Sequence, residues 1–222
     1  EQLANQETRY GARLLEDTAT GRYALGSEYL KTAYERLKQL IAIAPTVERY
    51  SLLGSYWKRR ARAERARGNR SRVKGHLGHM REAYWDAAEY ARQRTGEWHY
   101  YPLFNALDGD FLAAAWNDRK TFDARAGQLP DLLQAGRADA QRKLVESRDF
   151  FNALADAEAQ RIDALWACYD GRDKEAITNT AVAARLATVY LDVMRRIGSA
   201  REHDSAADQF DFLVRLVVGD GR

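Results

Sequence analysis

The sequence is poor in cysteine, in proline and in long apolar runs, and each shortage excludes a class of protein. A single cysteine, Cys168, excludes an internal disulfide framework and a zinc site built from several thiolates. Its surroundings, LWACYD within an apolar helical pattern, favour a small buried side chain. Three prolines in 222 residues, with 45% hydrophobic and 30% charged residues, are typical of a helical protein.

The absence of a long apolar run also bears on location. No stretch approaches the roughly 20 apolar residues that a membrane helix needs, and no basic-then-apolar signal segment opens the chain. We therefore expect a cytoplasmic protein with no membrane partner. Because the chain begins with Glu1 rather than methionine, inside a helical pattern, we also expect it to be an excerpt of a longer protein.

The stretch from Gly26 to Ala66 predicts two helices joined by a turn at Pro45. Proline disfavours helical geometry in the preceding residue and donates no amide, so it ends the first helix. In the second helix a glycine, Gly54, stands between large side chains and predicts close approach of a neighbouring helix. The apolar faces are Tyr29, Ala33, Leu37, Leu40 and Ile41 in the first helix, and Tyr50, Leu53 and Trp57 in the second.

The same spacing of aromatic, large and small residues recurs elsewhere in the chain. Tyr10, Gly11 and Leu14 carry it before the central stretch, and Tyr101, Phe104 and Asn105 carry it after. Recurring helix pairs of this kind predict an all-α fold, an α-solenoid of about nine or ten helices in antiparallel pairs. We expect one helical-repeat domain over 1–222, with more regular repeats at 3–116, an irregular segment at 117–136 and C-terminal helices at 137–218.

Glycines set the predicted helix ends, and apolar residues set the predicted burial of the last two helices. Breaks are expected at Gly68, Gly96, Gly127, Gly171 and Gly198. A helix over about 173–197 has apolar residues on nearly every side, which predicts that it is well buried. A final helix over 205–218 is expected to place Phe210, Leu213, Val214 and Val217 inward.

Two motifs resemble a known family. The central stretch resembles a tetratricopeptide repeat, and HYYPLFNAL at 99–107 and SAREHDSAADQFDFL at 199–213 are similar to the TRAFs-binding-type repeat region. That region occurs in animal mitogen-activated kinase kinase kinases, with relatives in bacterial multidomain proteins beside CHAT peptidase or TIR domains. The resemblance spans Tyr23 to Leu213 and implies a non-enzymatic protein-binding scaffold that regulates an attached effector domain. It carries over no catalytic residue and no cofactor.

A basic stripe, residues 58–81, contains ten Lys or Arg against one acid, Glu64. It therefore holds nine net positive charges, and the rest of the chain is net negative by six against the overall +3. Such density fits a solvated helix end, an acidic protein partner or the phosphates of a nucleic acid with Trp57 and Tyr84 available for stacking. These three readings remain open, and a nucleic-acid-binding repeat is the alternative function.

Other side chains give weaker indications of chemistry. His76, His79 and Glu82 share a helix face but lack the further ligand that zinc needs. Asp108, Asp110 and Asp118 form a candidate carboxylate cluster, or Asp108 to Asp110 interrupts a helix. Cys168 and His203 lack the motif of a cysteine peptidase, and no phosphate loop or serine elbow is present.

We therefore predict a protein-interaction module with an acidic protein or peptide partner. An enzyme with an unrecognised helical active site is a further alternative. The predicted partner-binding residues are Tyr50, Trp57, Arg59, Arg60, Arg62, Arg65, Trp98 and Asn105.

Overall fold

The structure, a computed structural model, describes residues 1–17, 22–116, 119–147, 149–169 and 180–217. Within these residues the chain forms ten α-helices and no β-strand, which confirms the predicted all-α fold. The helices are α1 (Gln2–Glu16), α2 (Arg22–Ile43), α3 (Val47–Ala66), α4 (Arg70–Thr95), α5 (Tyr100–Ala115), α6 (Arg119–Ala126), α7 (Leu129–Glu146), α8 (Phe150–Tyr169), α9 (Thr180–Arg196) and α10 (Ala200–Val217).

Two compact units divide the chain at Gly96, and the first holds α1 to α4. Helix α1 packs along α2 and α3 packs along α4, so the unit is two helix pairs, and α3 also contacts α1 and α2. This pairing is the one predicted for a tetratricopeptide-like stack. Its core is apolar and contains Ala4, Leu15, Leu30, Ala33, Leu37, Tyr56 and Ala63.

Glycines permit close contact inside both helix pairs of the first unit. A Cβ on Gly11 would lie 2.9 Å from the carbonyl oxygen of Gly26, so α1 and α2 nearly touch there. A Cβ on Gly54 would lie 2.7 Å from the buried ring of Tyr84 on α4. The predicted role of Gly54 in helix packing is therefore confirmed.

Local signals define the ends of α3 and α4. The hydroxyl of Thr46 accepts a hydrogen bond from the amide of Arg49 at 3.1 Å and caps the start of α3. Gly68 and Gly96 follow α3 and α4 with φ of +74° and +78°, the left-handed region in which glycine has no steric penalty. Helix α4 runs from Arg70 to Thr95 and continues without a break through Gly75 and Gly78.

The second unit contains α5 to α10 and is built around α5 and α8. Helix α5 packs against α6, α7, α8 and α10, while α8 packs against α7 and α9. One apolar cluster of this unit contains Phe150, Leu154, Ala157, Tyr190 and Ala206. Helix α7 begins at Leu129 with a proline in its first turn, as the break at Gly127 predicts.

Two predictions for the second unit were wrong. Helix α9 is not well buried in its described part: Leu191 is 47% exposed, whereas Tyr190 is buried. Its apolar residues on the outer side are not covered by another described helix, so apolar composition alone overestimated its burial. Helix α5 runs without interruption through Asp108 and Asp110.

In α10, Leu213 is buried and Phe210 packs partly buried on the apolar cluster, as predicted. Four predictions lie outside what the structure describes. They concern the side chains of Cys168, Val214 and Val217 and the break at Gly171. The extent of one domain over 1–222 likewise stays a prediction.

Candidate functional site

Six of the eight predicted partner-binding residues lie on α3 in the first unit, and Trp98 and Asn105 lie in the second unit. Tyr50 packs within the first unit, its ring 5.8 Å from that of Tyr90 on α4. Asn105 turns its amide back on its own helix and donates to the carbonyl of Tyr101 at 2.9 Å. Trp98 is partly buried just before α5. Tyr50 and Asn105 therefore have packing or helix-internal roles that the sequence did not separate from binding.

The basic stripe is partly neutralised by acids that the sequence did not pair with it. Arg62 donates two hydrogen bonds to Glu16 on α1, with Nε 2.6 Å from Oε1 and Nη2 3.2 Å from Oε2. Glu64 is fully buried and accepts from Asn69 at 2.6 Å and from Arg72 at 3.4 Å. Arg72 also donates to the hydroxyl of Tyr23 at 3.0 Å. These contacts hold α3 and α4 to α1 and α2.

Four cations at the turn between α3 and α4 have exposed side chains, and we call them the basic tip: Arg67, Arg70, Arg72 and Lys74. The guanidinium of Arg67 lies 4.3 Å from the ring centroid of Tyr23. The one acid of the stripe, Glu64, is beneath the surface and presents no negative charge to solvent. The basic tip is therefore a concentrated positive surface.

Beside the stripe, Trp57 is surrounded by aromatic rings from three helices. The rings of His76 and His79 on α4 lie 5.3 and 4.6 Å from its ring, at interplanar angles of 27° and 35°. The rings of Tyr34 on α2 and Tyr56 on α3 meet it edge to face at 5.4 and 4.9 Å. We call these five residues the aromatic cluster. Tyr34 could have been found from the sequence only by the helical spacing it shares with the α2 core.

Arginines near the aromatic cluster differ in their partners. Arg59 donates to the carbonyl of Ser55 on its own helix at 3.4 Å, and Arg65 is partly buried. Arg60 donates through Nη1 to the hydroxyl of Tyr56 at 3.2 Å. Its Nε is buried and has no hydrogen-bond partner among the described residues. The same holds for Nε2 of His76.

Burial and nearby charge keep His76 neutral near pH 7. Desolvation lowers the pKa of His76 to about 4, and the positive charge of Arg60 adds to this effect. In the second unit, burial likewise lowers the pKa of His99 to about 4, with a smaller contribution from Lys143. Neither imidazole is protonated at neutral pH, and both can accept hydrogen bonds.

The candidate metal and carboxylate residues are placed as follows. His79 Nδ1 lies 3.4 Å from Glu82 Oε2, and the rings of both His76 and His79 lie against that of Trp57. The described part of the chain contains no group of three or more His, Cys, Asp or Glu placed to hold a metal. Asp108 and Asp110 pair instead with arginines, Arg161 and Arg125, and Asp118 lies outside the described residues.

Paired helices with packed apolar faces and a charged outer surface define a helical-repeat protein of the tetratricopeptide class, whose members are generally protein-interaction modules. The family model TPR-S, Tetratricopeptide Repeats-Sensor, matches residues 1–113, which is half of the chain. The chain belongs to this family.

No curated protein and no solved structure matches the chain. None of the described helices has the length and apolar character needed to cross a membrane.

Proposed function

We propose that this chain is a non-enzymatic module that binds an acidic segment of a partner protein through the basic tip. The observation that carries the proposal is the arrangement of charge at the α3–α4 turn. Arg67, Arg70 and Lys74 are exposed, while Glu64, the one acid of the basic stripe, is buried. An acidic segment would complement this surface and speed association at low salt.

The proposal extends to the role of the module in a larger protein. The family is named for a sensor. We propose a cytoplasmic module that passes on partner binding to an attached effector domain, as in bacterial multidomain proteins that the TRAFs-binding-type resemblance suggests. Complementary charge and shape would select the partner, with no chemical step on the module itself.

A nucleic acid is the second candidate, because the basic tip is also suited to phosphates. Fluorescence anisotropy with charge-matched probes distinguishes the two. One probe is a labelled peptide of twelve glutamates, and the other is a labelled single-stranded RNA of twelve nucleotides. We expect tighter binding of the peptide, with an affinity that falls as salt rises.

The key variant reverses three of the four cations of the basic tip, and its Arg67→Glu change also removes the contact with the ring of Tyr23. Arg67→Glu, Arg70→Glu and Lys74→Glu together change the surface and leave Arg72 on Glu64. A matched control reverses three exposed cations of α1 and α2, Arg9→Glu, Arg13→Glu and Lys31→Glu. We expect peptide binding to be lost in the first variant and largely kept in the second. Equal loss in both variants, or preference for the RNA probe, would contradict the proposal.

A further inference from the structure

We propose that Arg60, beside Trp57 and His76, binds a single carboxylate from an acidic side chain of the partner protein. This inference rests on the proposed function and adds a specific subsite to it. The subsite consists of the guanidinium of Arg60, the imidazole of His76 and the ring of Trp57. It is distinct from the basic tip, whose cations are exposed.

Arg60 lacks a counter-charge among the described residues. Arg62 and Arg72 of the same stripe pair with Glu16 and Glu64. In the described residues, the Arg60 side chain has one hydrogen bond, to the uncharged hydroxyl of Tyr56. Its Nε is buried without a partner, although a buried charged group needs hydrogen bonds to offset lost hydration. A carboxylate would supply both the charge and the acceptor.

The guanidinium of Arg60 has one edge that is suited to a carboxylate. Tyr56 accepts from Nη1, so the edge formed by Nε and Nη2 is the one that remains for a ligand. That edge carries two parallel N–H groups and matches the two oxygens of a carboxylate. Nε2 of His76, which is also buried without a partner, offers a further donor in the tautomer protonated there.

The net charge around Arg60 and His76 favours a carboxylate over a phosphate. His76 is neutral near pH 7, because burial and the charge of Arg60 lower its pKa. The arginines and the acid that act on His76 are Arg60, Arg72 and the buried Glu64, so these three groups give one net positive charge around the neutral imidazole. A carboxylate carries one negative charge, whereas a phosphate monoester carries nearly two at this pH. The ring of Trp57, which stacks on that of His76, would contact the apolar stem of a glutamate.

Nuclear magnetic resonance of the protein with N-acetylglutamate amide as the probe tests the subsite directly. The chain has five tryptophans, and the variant Trp57→Phe identifies the indole signal of Trp57. We expect that signal to shift saturably with the glutamate probe and not with N-acetylglutamine amide. Nε of Arg60 and Nε2 of His76 are both buried, so a ligand reaches them only when neighbouring side chains move. The indole of Trp57 stacks on His76 and should report this movement.

Arg60→Met is the decisive variant. Loss of a charge-assisted pair should weaken probe binding at least about tenfold. Its matched control is Arg22→Met, which removes an exposed arginine that pairs with Asp17. His76→Phe keeps a ring against Trp57 and should weaken binding by about two- to tenfold. We expect thermal unfolding of Arg60→Met at or above the wild-type temperature, since the substitution removes an unpaired charge.

Three results would overturn the inference: an equal response to the glutamine probe, unchanged binding by Arg60→Met, or tighter binding of inorganic phosphate at the same indole. The test is separable from that of the proposed function. If the twelve-glutamate peptide binds through the basic tip and the single glutamate fails, only the subsite is wrong. If the single glutamate binds and the peptide does not, the subsite stands and the proposed use of the basic tip fails.

Discussion

Arg161 on α8 donates two hydrogen bonds to the carboxylate of Asp108 on α5, at 2.8 and 2.9 Å, in the interior of the second unit. Both side chains are almost fully buried. Glu158 also accepts from Arg161 and from the hydroxyl of Tyr190, and Gln209 donates to Asp108. This network joins α5, α8, α9 and α10 through hydrogen-bonded charges.

Removing one partner of this pair should destabilise the second unit strongly. Arg161→Met leaves Asp108 buried without its counter-charge, which typically costs about 3 to 5 kcal/mol in the free energy of unfolding. Urea unfolding followed by circular dichroism measures the loss. The control is Arg137→Met, which removes a surface pair with Asp156 and should cost less than about 1 kcal/mol. Similar losses in the two variants would contradict a dominant role for the buried pair.

Alanine at two glycines should change stability in opposite directions. In Gly54→Ala the new methyl group would lie 2.7 Å from the buried ring of Tyr84, and such overpacking typically costs about 1 to 3 kcal/mol. In Gly75→Ala the methyl group meets nothing within 4 Å, so helix propensity should add about 0.5 to 1 kcal/mol. Denaturant unfolding of both variants checks the prediction. A stabilised Gly54→Ala protein would show that α3 and α4 are packed less closely.

His76 and His99, which are partly buried, should make the folded protein less stable as the pH falls. Their folded-state pKa values are about 4, below the ordinary value of 6.5, so the unfolded chain binds more protons between these values. Their stabilising contribution is therefore complete above about pH 6.5 and is lost progressively as the pH falls towards about 4. Thermal unfolding between about pH 7.5 and 5.5 should show a falling midpoint.

The variant His76→Phe with His99→Asn should flatten that pH dependence. Asparagine keeps a side-chain acceptor at the start of α5, where His99 accepts from the amide of Tyr101. The control His79→Gln keeps both His76 and His99 and should show the wild-type slope. An unchanged slope in the double variant would mean that other groups govern the pH response in this range.

Arg62 should act mainly by joining the two helix pairs of the first unit. Its pair with Glu16 connects α3 to α1 and is partly exposed, so reversal by Arg62→Glu should cost about 1 kcal/mol. Combining it with Glu16→Arg exchanges the charges and should restore most of the stability. Unfolding of the single and double variants measures this coupling. If the exchange restores nothing, the pair does not contribute to the stacking of α3 on α1.

The sequence predicted most of the fold because its signals were local. Apolar spacing gave the helices, and Gly68, Gly96 and Pro45 gave several of their ends. The contact of Gly54 with a neighbouring helix followed from the size of its sequence neighbours. The predicted burial of helix α9 was wrong, because an apolar composition indicates how much apolar surface a helix has. It does not indicate whether another helix covers that surface.

The candidate site was less predictable, because residues far away in the sequence decide which of its charged side chains are paired. Arg60 and Arg62 look alike in the basic stripe, yet Glu16 pairs with Arg62 from 46 residues away. Among the described residues the side chain of Arg60 donates a hydrogen bond only to the hydroxyl of Tyr56. In the second unit, Asp108 and Arg161 are 53 residues apart. No local pattern contains these pairings, so the sequence could not separate structural charges from available ones.

Affinity capture from lysate of the source cell tests most directly the proposal that the basic tip binds an acidic protein. The baits are the wild-type protein, the basic-tip reversal and the α1–α2 control reversal, and nuclease is added to the lysate. We predict that the wild type and the control capture an acidic protein in the presence of nuclease and that the basic-tip reversal does not. The purified acidic protein should bind the purified wild type again. Capture of the same protein by the basic-tip reversal, or capture of nucleic acid alone, would contradict the proposal.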